Sequence, residues 1–178
     1  WGVEVGLSGR DGGIEWALNL FQTEIDYLIA FDASLGLYGL PNNIDSARIR
    51  GLEAIASTRL DGWDLNGNLT LLDPVNRSDG PNRGNLLPRR PEQTFTLDTD
   101  HTFDRVRLGG TLHAVGRRFD DLSNRVRLDP YLLVDLRAEY RFSDALRVQA
   151  RIENLFDEEY ETAAYYNQPG RGFFVTLR

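Results

Sequence analysis

The chain has 178 residues, 20 Lys+Arg against 27 Asp+Glu, a formal net charge of −7, and 41% hydrophobic and 11% aromatic residues. That length suits one domain or a piece of a larger one. The acidic balance, with a pI near 4.9, excludes the basic footprint of a nucleic-acid binder. With no cysteine there is no disulfide framework, no Cys-x-x-Cys redox pair and no thiolate zinc site. No run approaches the ~18 consecutive apolar residues of a transmembrane helix. The chain opens Trp1-Gly2-Val3-Glu4, without an initiator Met or a charged leader, and is expected to be a fragment or processed product.

In chain order, the spacing predicts nine strands at roughly 2–9, 14–31, 44–60, 63–72, 92–103, 105–118, 131–142, 146–156 and 171–178. The clearest is 131–142. Leu132, Val134, Leu136, Ala138, Tyr140 and Phe142 occupy one parity there, and Asp135, Arg137, Glu139 and Arg141 the other. The next strand repeats this with Leu146, Val148, Ala150 and Ile152 against Arg147, Gln149, Arg151 and Glu153. Alternation at every second residue gives a strand one apolar and one polar face, whereas a helix needs apolar residues at i, i+3 and i+4.

Two kinds of connection alternate. Four are tight, at 10–13, 61–62, 103–105 and 143–145, each holding an Asp and two holding Asp-Gly, residues that tolerate positive φ in hairpins. The other four, near 32–43, 73–91, 119–130 and 157–170, are long and polar. All seven prolines are assigned to them or their edges, because proline cannot donate to a ladder. The expected fold is all-β, an antiparallel up-and-down meander of about nine strands with unlike rims.

Such a meander fits a membrane barrel with short turns at one end and long loops at the other. It also fits a soluble β-sandwich, whose strands equally have one apolar face. Aromatic residues next to the tight turns (Trp16, Trp63, Phe103, Phe142) read as an interfacial girdle. A second group, Tyr27, Phe31, Tyr131, Phe156 and Phe173, lies toward the long loops. His101 shares parity with Phe95, Leu97 and Phe103, which aims it at the apolar side. If that side meets lipid, Leu136→Arg is costly and Arg137→Leu costs little. Gly109-Gly110 falls within a strand, where it relieves curvature or crowding.

The segment Ile152-Glu153-Asn154-Leu155-Phe156-Asp157-Glu158-Glu159-Tyr160-Glu161-Thr162, followed by Tyr165-Tyr166-Asn167-Gln168-Pro169-Gly170-Arg171, resembles the carboxy-terminal signature of TonB-dependent outer-membrane receptors. The stretches 47–54 and 132–137 are similar too, and Tyr160-Glu161-Thr162 with Leu86-Leu87-Pro88-Arg89-Arg90-Pro91 looks most like the cobalamin-transporting branch. The resemblance implies that residues 1–178 are the carboxy-terminal part of a 22-strand transmembrane barrel in the bacterial outer membrane. An amino-terminal plug and the earlier strands would lie outside this chain. It further implies import of cobalamin, or another metal chelate such as a ferric siderophore, driven by TonB through that plug. The implied partners are therefore outer-membrane lipid, TonB and the cargo. No cofactor and no enzymatic activity are implied, since cobalamin would be cargo. The family's last strand ends in an aromatic, whereas this one stops at Thr176-Leu177-Arg178, so a few further residues are expected.

By the same resemblance, Tyr166 would meet the corrin and Arg89 the ligand, with loop packing as the plainer role for Tyr166. Arg117 and Arg118 would add positive charge at the mouth or form salt bridges in the lumen. Asp120, Asp121, Asp157, Glu158 and Glu159 invite a calcium site, but they lack Asp-x-Asp-x-Asp-Gly spacing. The family's calcium loops lie upstream, so a solvated acidic surface is expected. His101 and His113 are each isolated and are expected to be structural. No Ser-His-Asp set or phosphate-cradling Gly loop is present.

Overall fold

A computed structural model describes residues 1–32 and 40–178, the side chains of 30–32 and 42 excepted. Nine long strands form one antiparallel sheet in chain order: β1 (Gly2–Asp11), β2 (Ile14–Asp32), β3 (Leu40–Leu60), β4 (Trp63–Asn76), β5 (Gln93–Phe103), β6 (Val106–Val115), β9 (Tyr131–Arg141), β10 (Arg147–Glu153) and β13 (Gly172–Leu177). Two small hairpins stand apart from it, β7 (Arg118–Phe119) with β8 (Arg127–Leu128), and β11 (Glu161–Ala163) with β12 (Tyr166–Asn167). Each sits within a long connection. Among the described residues there is no helix, and β1 and β13 each have one neighbour, so the sheet is open at both edges.

The expected strands are all present, with shifted ends. β3 begins at Leu40 and β4 continues to Asn76, which places Pro41 and Pro74 inside strands rather than in the connections. Pro41 lies where β3 pairs with β2 alone, since the β3–β4 ladder stops at Ala47↔Asn76. Pro74 pairs with Ile49, and beyond the end of the β4–β5 ladder at Leu71↔Gln93 its carbonyl accepts from the Leu87 N–H (2.8 Å), so no regular second ladder calls on its missing N–H. At the other end, β6 stops at Val115 and β10 at Glu153, because Asn154 turns left-handed (φ 50°). The tight turns use the same device at Asp61 and Asp104, both at φ 50°.

Directly paired residues share a face, so the ladders show one apolar surface running across all nine strands. Leu7, Leu18, Ala54, Leu69, Phe95, Ala114 and Leu132 form one such row. Gly110, Leu136, Ile152 and Phe173 belong to another. Among the described residues nothing covers this surface. Leu136 remains 41% exposed, and no second sheet opposes Val134, Leu136, Val148 or Ile152. The sandwich reading required that second layer and is overturned.

The apolar surface has defined limits. At the tight-turn end Trp63 stands edge-on to His101 (4.9 Å), His101 stacks on Phe103 (3.9 Å), and Tyr140 meets Phe142 (4.6 Å). His101 therefore faces the apolar side as its parity predicts, with Nε2 3.1 Å from the Asp61 carbonyl oxygen. The eight residue steps from Trp63 to Leu71 rise about 26 Å along the strand, or about 20 Å once tilted. Beyond them the same face turns polar. Arg48 and Arg50 pair with Asp73 at 3.2 and 2.7 Å, beside Gln22 and Glu24. A band of that height between an aromatic row and an ion-pair row matches the lipid-facing belt of an outer-membrane barrel.

The opposite face carries the charges. Arg137 bonds Asp100 (2.6 Å) and Thr111 (2.9 Å) and approaches Asp98 (3.6 Å), while Arg107 also reaches Asp100 (3.2 Å). Gly109 lies between these groups, and a Cβ there would come within 2.7 Å of Arg137 Nε and of the Thr99 carbonyl. Crowding, not curvature, accounts for that glycine. Toward the long loops the polar parity becomes apolar. Ile44, Ala47 and Ile49 of β3 are buried with Leu87 and Leu122 from two connections, against Phe21, Ile25, Leu28 and Leu72. The left-handed Tyr27 (φ 58°) interrupts the alternation, which allows Ile25 and Leu28 to serve the same core.

Candidate functional site

The connections 77–92, 116–130 and 154–171 fold over this charged face and are tied to one another. Between the first two, Arg89 holds Asp120 through Nε (2.6 Å) and Nη2 (3.3 Å), and the Arg89 N–H donates to the Phe119 carbonyl (2.7 Å). Asn124, left-handed at φ 57°, accepts from the Leu86 N–H (2.8 Å) and donates to the Leu86 carbonyl (2.9 Å). Between the second and third, the Ala164 N–H donates to Asp120 (3.2 Å) and Arg118 donates to the Glu161 carbonyl. The Arg118 guanidinium lies over the Tyr131 ring (5.1 Å), which packs against Tyr160 (4.5 Å).

The four expected ligand residues occupy different settings in this rim. Tyr166 is 70% exposed on β12, beside the still more exposed Tyr165. Arg89 is half-buried in its ion pair with Asp120. Arg117 is exposed and reaches Glu92 at 3.2 Å. Arg118 is 3% exposed, buried among the loops rather than presented at the mouth. Arg89 and the Tyr165–Tyr166 tip are brought together through Asp120, whereas Arg117 stands apart on the Glu92 side.

Several expectations are corrected here. Asp120 and Asp121 are buried, not a solvated acidic surface. Burial opposes ionisation of Asp121, yet hydrogen bonds from Ser123 and from the N–H groups of Arg125 (3.0 Å) and Val126 (2.7 Å) outweigh it and hold its carboxyl below the usual range. Burial raises the Tyr160 phenol, and neighbouring Tyr131, Asp135 and Glu153 add to the shift. Tyr131 lies toward the long loops as expected, on the charged, loop-covered face against Tyr160 and Arg118. The Phe31 side chain lies outside the described residues. Among the described residues no three His, Cys, Asp or Glu gather as a metal site.

Asp121-Leu122-Ser123-Asn124 was legible as a side-chain-to-backbone turn from its residue types. No sequence signal marks the burial of Asp120, because its partners come from distant loops. The Asn-Leu-Phe-Asp segment acquires a physical reason. Asn154 is left-handed, its N–H donates to Asp135 (2.8 Å), and its amide both accepts from and donates to Glu158 (2.8 and 2.9 Å). Asparagine is among the few residues that tolerate this backbone and supply both hydrogen bonds.

Residues 1–155 match the family described as TonB dependent receptor-like, beta-barrel. The chain belongs to the TonB-dependent receptor family. It is therefore a segment of an outer-membrane β-barrel. Among curated relatives, it is 32% identical to a vitamin B12 transporter of Photobacterium profundum over 97% of this chain and 28% of that protein. A second vitamin B12 transporter, from Vibrio vulnificus, is also 32% identical, over 98% of this chain and 28% of its own length. The chain thus spans under a third of these relatives. Among solved structures, the unliganded ferric citrate transporter FecA superposes with a TM-score of 0.84 at 19% identity, over 99% of this chain and 30% of that one. The siderophore receptor PiuA of Acinetobacter baumannii gives 0.79 at 21% identity, over 99% and 27%. At such identities these likenesses show the fold alone.

Proposed function

We propose that this chain is the carboxy-terminal portion of a TonB-dependent importer whose cargo is cobalamin. The observation that carries the reading is the 32% identity to vitamin B12 transporters along nearly the whole chain. The rim supports it. A corrin is a broad, partly apolar ring with polar amide edges, and the Tyr165–Tyr166 tip offers exposed aromatic surface near the cationic, hydrogen-bonding Arg89. Tyr and Arg are the residue types that most often anchor ligands. In this reading residues 1–178 supply barrel wall and rim. The plug and its contact with TonB belong to the remainder of the longer protein. The wall and rim hold and admit cargo without changing it chemically, so the chain is a transport component and not an enzyme.

The test uses the full-length protein. It should restore cobalamin-dependent growth to a bacterium lacking its own outer-membrane cobalamin receptor, only when TonB is present. The purified protein should bind cyanocobalamin. Growth restored by a ferric siderophore instead, with no cyanocobalamin bound, would refute the cargo assignment.

A further inference from the structure

Backbone strain at the rim falls on particular residues. Of the non-glycine residues with positive φ, most are Asn or Asp, which tolerate it, but Tyr27 (58°), Arg89 (57°) and Tyr165 (68°) are bulky. All three lie toward the long loops. Such conformations persist only where surrounding contacts over-determine them, and they gather at ligand clamps. Arg89 and Tyr165 share one anchor. Asp120 is 2% exposed, accepts two hydrogen bonds from Arg89, and accepts a third from the N–H of Ala164, the residue just before Tyr165. Arg118, two residues earlier, grips the same hairpin at the Glu161 carbonyl, where β11 begins. The Asp120 N–H is itself fixed to the Val126 carbonyl (2.8 Å) within its own small hairpin.

We propose that Asp120 is the positioning residue that fixes Arg89 and the Tyr165–Tyr166 tip as one preorganised pair for the cargo. Asp120 is too buried to touch cargo itself. It acts because a buried carboxylate holds its donors strongly, since losing one leaves charge unpaired away from water. Loops already fixed in the bound geometry forgo the ordering cost of binding. The identity of the cargo rests on the importer reading above, whereas the tie between the loops does not.

The test uses the full-length protein with Asp120→Ala, Tyr166→Ala and the double variant. Cyanocobalamin binding is measured by calorimetry and stopped flow, and hydrogen exchange is followed without ligand. Asp120→Ala should weaken binding about tenfold, mainly through faster dissociation, which is the coupling expected of groups in one hydrogen-bonded network. On the Tyr166→Ala background the same change should cost clearly less, its remainder being the release of Arg89 and Tyr165. Exchange across 161–167 should rise while the barrel's melting temperature holds. Should Asp120→Ala fail to insert, Asp120→Asn, which keeps the shape and one acceptor, carries the comparison. Additive losses, or unchanged exchange across 161–167, would overturn the proposal. If the native protein binds no cyanocobalamin, the importer reading fails, and exchange alone still decides the positioning role.

Discussion

Leu136 and Arg137 are adjacent on β9 and point to opposite faces, so exchanging their chemistry tests which face meets lipid. Leu136 is the sixth of eleven residues in its strand, and its ladder partners are Gly110 and Ile152. Neither can take a charge. Leu136→Arg therefore puts a guanidinium into hydrocarbon near mid-depth, at a cost of about 2–4 kcal/mol. Arg137→Leu is not the nearly free change that parity alone suggests. Arg137 bonds Asp100 at 2.6 Å, with side chains 34% and 15% exposed, so its loss leaves a carboxylate short of a partner. Partial exposure keeps this at about 1–2 kcal/mol. The two losses differ in remedy. Adding Asp100→Asn should recover most of the Arg137→Leu deficit and none of the Leu136→Arg deficit. The assay is equilibrium folding of the full-length protein into phospholipid vesicles across a urea series. Equal losses with no selective rescue would refute the assignment of faces.

Gly109→Ala should destabilise the barrel by about 1–3 kcal/mol, because the added methyl collides with Arg137 and the Thr99 carbonyl; the same urea series measures it. The Asp121 carboxyl is held below its unfolded value of about 4, so it stabilises the 121–126 turn above that pH and the contribution disappears as pH falls through the lowered value. Protection of the Arg125 and Val126 amides, measured against their intrinsic exchange rate at each pH, should thus be high at neutral pH and lost in strong acid, and Asp121→Asn should lower it at both. Trp63, in the aromatic row, should be quenched by lipids labelled near the headgroup more than by lipids labelled at the chain end; the reverse order would misplace the row.

The alternation of apolar and polar residues at 131–142 and 146–156, the Asp-bearing tight turns and the placement of Trp16, Trp63 and Phe103 were enough to read an all-β meander with two unlike ends. Strand pairing between chain neighbours is local, and local patterns carry it. The side of the sheet that meets lipid was not decided by alternation. It followed from the absence of a second layer over Leu136 and from the aromatic and ion-pair rows that bound the apolar surface. The rim was the least legible part. Arg89 and Tyr166 were identifiable only through a resemblance, and Asp120 was read as solvated surface. Its burial depends on Arg89 and Ala164, which belong to separate loops and reach the same carboxylate only after nine strands have been laid side by side. Period and turn chemistry determine each strand and its register with the next. Which charges end up sealed between distant loops is decided by the sheet that brings those loops together, because desolvation and pairing depend on neighbours in space.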